Sequence, residues 1–111
     1  MDDEALRNVS KGLFGNRHKL EVIAAIGDAI ADGAQDVYPR MISKTLRDAA
    51  DKQVGEIFTQ LRSGGLLIPV VDKTDLQKNR YRARESEVWE AARNLLAELR
   101  LAAWRPDELM G

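Results

Sequence analysis

The chain's 111 residues are the length of one domain, large enough for a modest core. Apolar residues make up 44%, which excludes a disordered chain; no apolar run approaches the ~20 residues of a membrane span, and the absence of cysteine excludes disulfides and thiolate metal sites. The net charge is −1, yet residues 40–84 carry ten bases against five acids, while residues 1–39 hold seven acids and four bases and residues 85–111 six and three. The acidic start, Met1-Asp2-Asp3-Glu4, is the wrong sign for a signal or transit peptide, so a cytoplasmic location is expected.

Residues 2–11 run from acids to the bases Arg7 and Lys11, an order that suits a helix dipole, with Gly12 as the expected stop. Ala5, Leu6 and Val9 give this helix one narrow apolar edge, so it must pack on another element. Asn16 is placed to cap a second helix, Arg17 to about Asp32. Leu20, Ile23, Ala24, Gly27 and Ile30 line one of its sides, and Val22 and Ile26 a second, which leaves Glu21, Asp28 and Asp32 as a polar strip. A helix apolar over most of its circumference belongs at the centre of a core. His18, the sole histidine, has no partners for catalysis or metal binding and is expected at the surface or against a phosphate.

Val37-Tyr38 reads as a very short strand, and Pro39 suits the first position of a helix over Arg40–Ala49. Ile42, Leu46 and Ala49 form its apolar side; Arg40, Lys44 and Arg47 stack opposite, with Ser43 beside them. The next helix, Asp51–Ser63, puts Val54, Ile57, Phe58 and Leu61 on one stripe at i, i+3, i+4 and i+7. Lys52, Glu56, Thr59 and Ser63 point the other way, flanked by Gly55 and Gln60, so the outer face is rich in hydrogen-bonding groups and nearly uncharged overall. Ser63-Gly64-Gly65 stops the helix, and Leu66–Val71 reads as an edge strand because proline 69 cannot donate to a ladder. After a polar tip, Asp72–Lys78, the return strand puts Arg80, Arg82 and Arg84 on one face and Tyr81 and Ala83 on the other.

Ser86 can cap a last helix, Glu87 to about Trp104, ended by Pro106. Val88, Ala92, Leu95, Leu99 and Ala102 are spaced as a helix seam, widened by Trp89, Leu96 and Ala103. The seam is expected to meet the N-terminal helix and a second copy of itself; the plainer alternative is that it closes the core of one chain.

This order of elements resembles the winged helix-turn-helix fold, in particular the small dimeric bacterial regulators of the ArsR and MarR types. The resemblance covers nearly the whole chain. It rests on the run from Phe14 through Asn16 and Arg17 to Ile23, on Val54–Leu67 as a recognition helix with its glycine exit into a wing, and on Asn79-Arg80-Tyr81 as the return strand. Three departures stand out: the turn between the two helices is about one residue longer than the family's pattern, Gly55 and Glu56 replace the serine, threonine or arginine usual there, and the ligands of metal-sensing members are absent. The fold expected is mainly α with a small β-hairpin wing, about five helices and two to three short strands, in a single domain over 1–111. Within it, 40–63 is the helix-turn-helix, 66–84 the wing, and 1–12 with 85–105 the dimerisation elements.

The resemblance implies that helix 51–63 enters the major groove of double-stranded DNA, with Lys52, Gln53, Gly55, Glu56, Thr59 and Gln60 toward base edges. It implies that Arg40, Ser43, Lys44, Arg47, Lys73, Lys78, Arg80 and Arg82 reach phosphates or the minor groove. Dimerisation falls to Leu6, Val9, Val88, Trp89, Ala92, Leu95, Leu96 and Leu99. The expected function is a sequence-specific DNA-binding transcriptional regulator, a repressor acting as a homodimer on a palindromic operator. No enzyme, cofactor or metal is expected, since the carboxylates are scattered and Gly64-Gly65 follows a helix instead of preceding one. The rival is a winged-helix module that binds protein, favoured by the acidic flanks, a pI of 5.8 and Glu56 on the reading face. The discriminating feature is whether Arg40, Lys44, Arg47, Lys52 and Arg80 make one positive surface.

Overall fold

The computed structural model describes residues 3–16, 18–46, 49, 51–70 and 80–101. Arg47, Lys73 and Lys78 lie outside the described residues, as do the side chains of Leu6 and Val9. The described chain is mainly helical: α1 (Asp3–Phe14), α2 (Lys19–Ala31), α3 (Pro39–Ser43), α4 (Asp51–Ser63) and α5 (Glu87–Arg100), with an antiparallel pair, β1 (Leu67–Pro69) and β2 (Tyr81–Ala83), between α4 and α5.

Helix α2 is the centre, as its two apolar sides require. Leu20, Val22, Ile23, Ala24 and Ile26 are all buried, and α1, α3, α4 and α5 each pack on it. Against α2 lies the stripe of α5. Trp89, Ala92, Leu96 and Leu99 are buried within the single chain, and Val88 and Leu95 are half-buried against the same core. The seam expected to join two copies therefore closes the core of one. Approach is closest at Gly27, where a Cβ would stand 2.8 Å from the Trp89 carbonyl oxygen and 3.0 Å from Arg93 Cδ. Ser86 caps α5 as expected, accepting from the Val88 N–H at 3.2 Å, and Trp89 Nε1 donates to the Arg84 carbonyl at 2.8 Å.

Helix α1 passes through Gly12 and ends at Gly15, not at the first glycine. Gly15 has φ of +72°, the left-handed conformation that suits a helix stop, and its N–H bonds the Lys11 carbonyl at 2.8 Å. Helix α2 then starts at Lys19, later than expected. Its N-cap is His18, whose side chain makes no cap bond, and not Asn16, which lies two residues earlier with Oδ1 accepting from the His18 N–H at 2.8 Å. A second acceptor comes from α1: fully buried Ser10 takes the Leu20 N–H on its Oγ at 3.0 Å and donates to the Asn16 carbonyl at 2.6 Å.

Two polar residues of α2's first turn turn inward. Glu21, expected on the outer strip, is only 5% exposed and faces Arg7 Nε at 3.4 Å. His18, expected at the surface or on a phosphate, is largely buried, with Nδ1 3.9 Å from the Glu21 carboxylate. Both follow from α1 folding back over this turn.

Helix α3 is one turn long instead of spanning 40–49. Ser43 Oγ lies 3.1 Å from the Arg40 carbonyl, and Thr45 Oγ1 donates to the Ile42 carbonyl at 2.8 Å. The Thr45 hydroxyl competes for a carbonyl three residues back, and the Thr45 and Leu46 N–H groups bond by the same i−3 pattern, which tightens the backbone. Leu46 and Ala49 still reach the core.

The two strands pair antiparallel, with Leu67 opposite Ala83 and Pro69 opposite Tyr81. Val37 bridges Tyr81 from the other side through two 2.8 Å backbone bonds, so the short segment before α3 does pair. Tyr81 thus sits between both neighbours, and its ring meets Phe58 edge-on at 5.6 Å. Among the described residues no helix is long and apolar enough to cross a membrane.

Candidate nucleic-acid interface

Helix α4 is held by its inner stripe: Val54, Ile57, Phe58 and Leu61 are all buried, as their spacing requires. Its end is fixed by Gly65 at φ +80°, with Leu66 N–H on the Leu61 carbonyl at 2.9 Å and Gly65 N–H on the Arg62 carbonyl at 3.0 Å. Its start is tied to α3 by Ser43, whose hydroxyl donates to the Asp51 carboxylate. Ser43 is therefore buried between the two helices and does not join the exposed contact set.

The outer stripe stays open. Lys52, Gln53, Glu56, Thr59, Gln60 and Ser63 are exposed, and neither Lys52 nor Glu56 has an ion-pair partner among the described residues. Gly55 lies amid them, and a Cβ built there would meet no atom within 4 Å. Its role is therefore not helix–helix packing; it leaves a shallow bare spot on an exposed helix. Thr59 Oγ1 donates to the Gly55 carbonyl at 3.1 Å, so its proton is committed and its methyl group and lone pair are left for an outside partner.

Exposed bases stand on elements that adjoin α4 or its neighbour β1 in the fold. Arg40 and Lys44 project from α3 and the turn after it, and Arg82 from β2. Arg80 is half-buried, its guanidinium carbon 5.8 Å from the centre of the Tyr38 ring, which brings that charge beside the start of α3. Arg84 serves the scaffold: its Nε donates to the Gly65 carbonyl at 2.8 Å, strapping β2 to the exit of α4. Arg62, absent from the contacts expected from the sequence, is exposed seven residues beyond Gly55, where a helix returns to the same side.

Some flank acids are paired within the flanks themselves, one of them buried and two at the surface. Glu21 faces Arg7, and Asp28 and Glu90 both bond Arg93, at 2.7 and 2.8 Å. The Asp28 hydrogen bond, aided by Glu90 and opposed by partial desolvation, holds the Arg93 guanidinium above its ordinary pKa. Among the described residues no three His, Asp or Glu side chains stand close enough to hold a metal ion.

The arrangement is an anchored helix with an exposed, hydrogen-bonding outer face, and exposed bases on α3, the turn after it and β2. No family model, curated protein or solved structure matches the chain.

Proposed function

We propose that the protein is a sequence-specific double-stranded DNA-binding transcriptional regulator of winged helix-turn-helix type, with α3 and α4 as the helix-turn-helix and β1–β2 as the root of the wing. The observation that carries this reading is α4, whose inner stripe is entirely buried while its outer stripe is exposed and bare at Gly55. A helix of that form fits the major groove, where base edges offer donors and acceptors. Arg40, Lys44, Arg62 and Arg82 supply phosphate contacts that the helix face lacks.

The regulator works as a homodimer, so that two copies of α4 read a palindrome and occlude it. Because Trp89, Ala92, Leu96 and Leu99 are used inside the chain, self-association falls instead to exposed apolar side chains, Leu13 (60%), Phe14 (38%) and Leu101 (61%).

The test is titration of purified protein against random duplex DNA over a range of salt. Four phosphate contacts per protomer give a slope of log K against log salt of about −3.6, or roughly −7 for a dimer. Replacing Arg40 and Lys44 with alanine should reduce the magnitude by about 2 per protomer. Absence of binding to any duplex at low salt, or a response indifferent to salt, would reject the reading and leave the surface to a protein partner.

A further inference from the structure

We propose that Lys52 and Glu56 together read one G·C base pair, with Gly55 bringing the helix close enough for both to reach it. This rests on the DNA-binding reading above and names what the same surface recognises.

Three observations converge. The first is the placing of the charges. Lys52 and Glu56 are one turn apart on the exposed side of α4, with Cβ atoms about 6 Å apart in any helix at this spacing. Opposite charges so placed commonly pair, yet these two have no ion-pair partner among the described residues. Lysine preceding glutamate is the weaker orientation for such a pair, so both groups stay available to a ligand.

The second observation is chemical. Across the major groove a G·C pair presents two adjacent acceptors, guanine N7 and O6, and then one donor, the cytosine amino group. An ammonium carries donors only, and a carboxylate acceptors only. Lys52 spans the two acceptors and Glu56 takes the donor. An A·T pair places its amino donor between two acceptors, so the ammonium would meet a donor where it needs an acceptor. Phosphate repels Glu56, so a carboxylate on this stripe weakens binding to DNA in general and is offset only where an amino group meets it. The residue therefore discriminates more than it binds.

The third is the bare spot. Glutamate is shorter than lysine and reaches a base only if the helix lies close. Gly55, next to Glu56 in sequence and with open space where its Cβ would be, permits that approach.

The experiment is selection of bound duplexes from a random pool, followed by competition titrations with the full chain. Wild-type protein should enrich a motif with a fixed G·C pair, and changing that pair to A·T should weaken binding roughly 5- to 150-fold. The Glu56→Gln variant keeps an exposed side chain of the same shape and can pair with adenine, so its motif should admit A·T there, with the penalty reduced to about 3-fold or less. Lys52→Ala should relax preference at that same pair. An unchanged motif and penalty in Glu56→Gln, a wild-type motif without a fixed G·C pair, or loss of preference at two different pairs would overturn the assignment while leaving DNA binding intact. If wild-type protein binds no duplex at low salt, the assignment and the DNA-binding reading fall together.

Discussion

Glycine inside an exposed helix costs about 0.5–1 kcal/mol relative to alanine. Gly55 carries that cost in the middle of α4 with nothing near enough for a methyl group to touch. Gly55→Ala should therefore raise stability by roughly 0.5–1 kcal/mol, read from the urea midpoint at unchanged slope. The same variant should bind duplex DNA several-fold more weakly, because its methyl group holds the helix back from the bases. A gain in stability without loss of binding would mean that Gly55 does not face the groove. The sequence made the position visible, since α4's periodicity put residue 55 beside the outer stripe. It could not separate open space from close packing, because a period tells which way a residue points and nothing of what stands opposite.

The same limit governs whole elements. The α4 stripe, the alternation along β2 and the apolar breadth of α2 were all legible, because each is a local repeat of about 3.6 or 2 residues. Helix ends were less so. Gly12 and Gly15 are both competent stops, and only the fold distinguishes them, by the left-handed backbone of Gly15 and its bond to Lys11. The shortening of α3 goes with the Thr45 hydroxyl turning back on its own chain and the Ser43 hydroxyl reaching across to Asp51, for which pattern gives no sign. Of the candidate contacts, Ser43 was lost to the joint between helices and Arg62 was gained. The start of α2 was the least visible feature, since its second acceptor comes from a different helix. Ser10→Ala removes that hydroxyl and leaves the buried Leu20 N–H without its partner. The expected loss is about 1–3 kcal/mol, measured by chemical denaturation, with no effect on DNA contacts in the protein that remains folded.

At the scale of the molecule, α2 is the one element on which the other four helices converge, so loosening any of those joints weakens the whole. The tightest lies where α5 crosses Gly27. Adding a methyl group there meets the Trp89 backbone oxygen at 2.8 Å, which cannot swing aside as a side chain could, and α5 must move away. Gly27→Ala should cost about 1–3 kcal/mol in a single cooperative unfolding transition, the opposite sign to Gly55→Ala. Calorimetry on the two variants side by side checks both signs at once. The α5 seam shows the same limit at this scale: an apolar stripe is the same whether its partner comes from the same chain or another, and only the assembled fold shows that α2 occupies it. Ser10 and Arg7 give α1 a comparable double identity. The helix presents Leu13 and Phe14 outward while its inner side completes α2 and faces the buried Glu21 carboxylate. Trimming the first fourteen residues to look for a dimer contact would thus take Ser10 and Arg7 from the buried start of α2, and a loss of DNA binding that followed would say nothing of whether two copies touch there. Charged replacements at Leu13 and Phe14 interrogate the outer side alone.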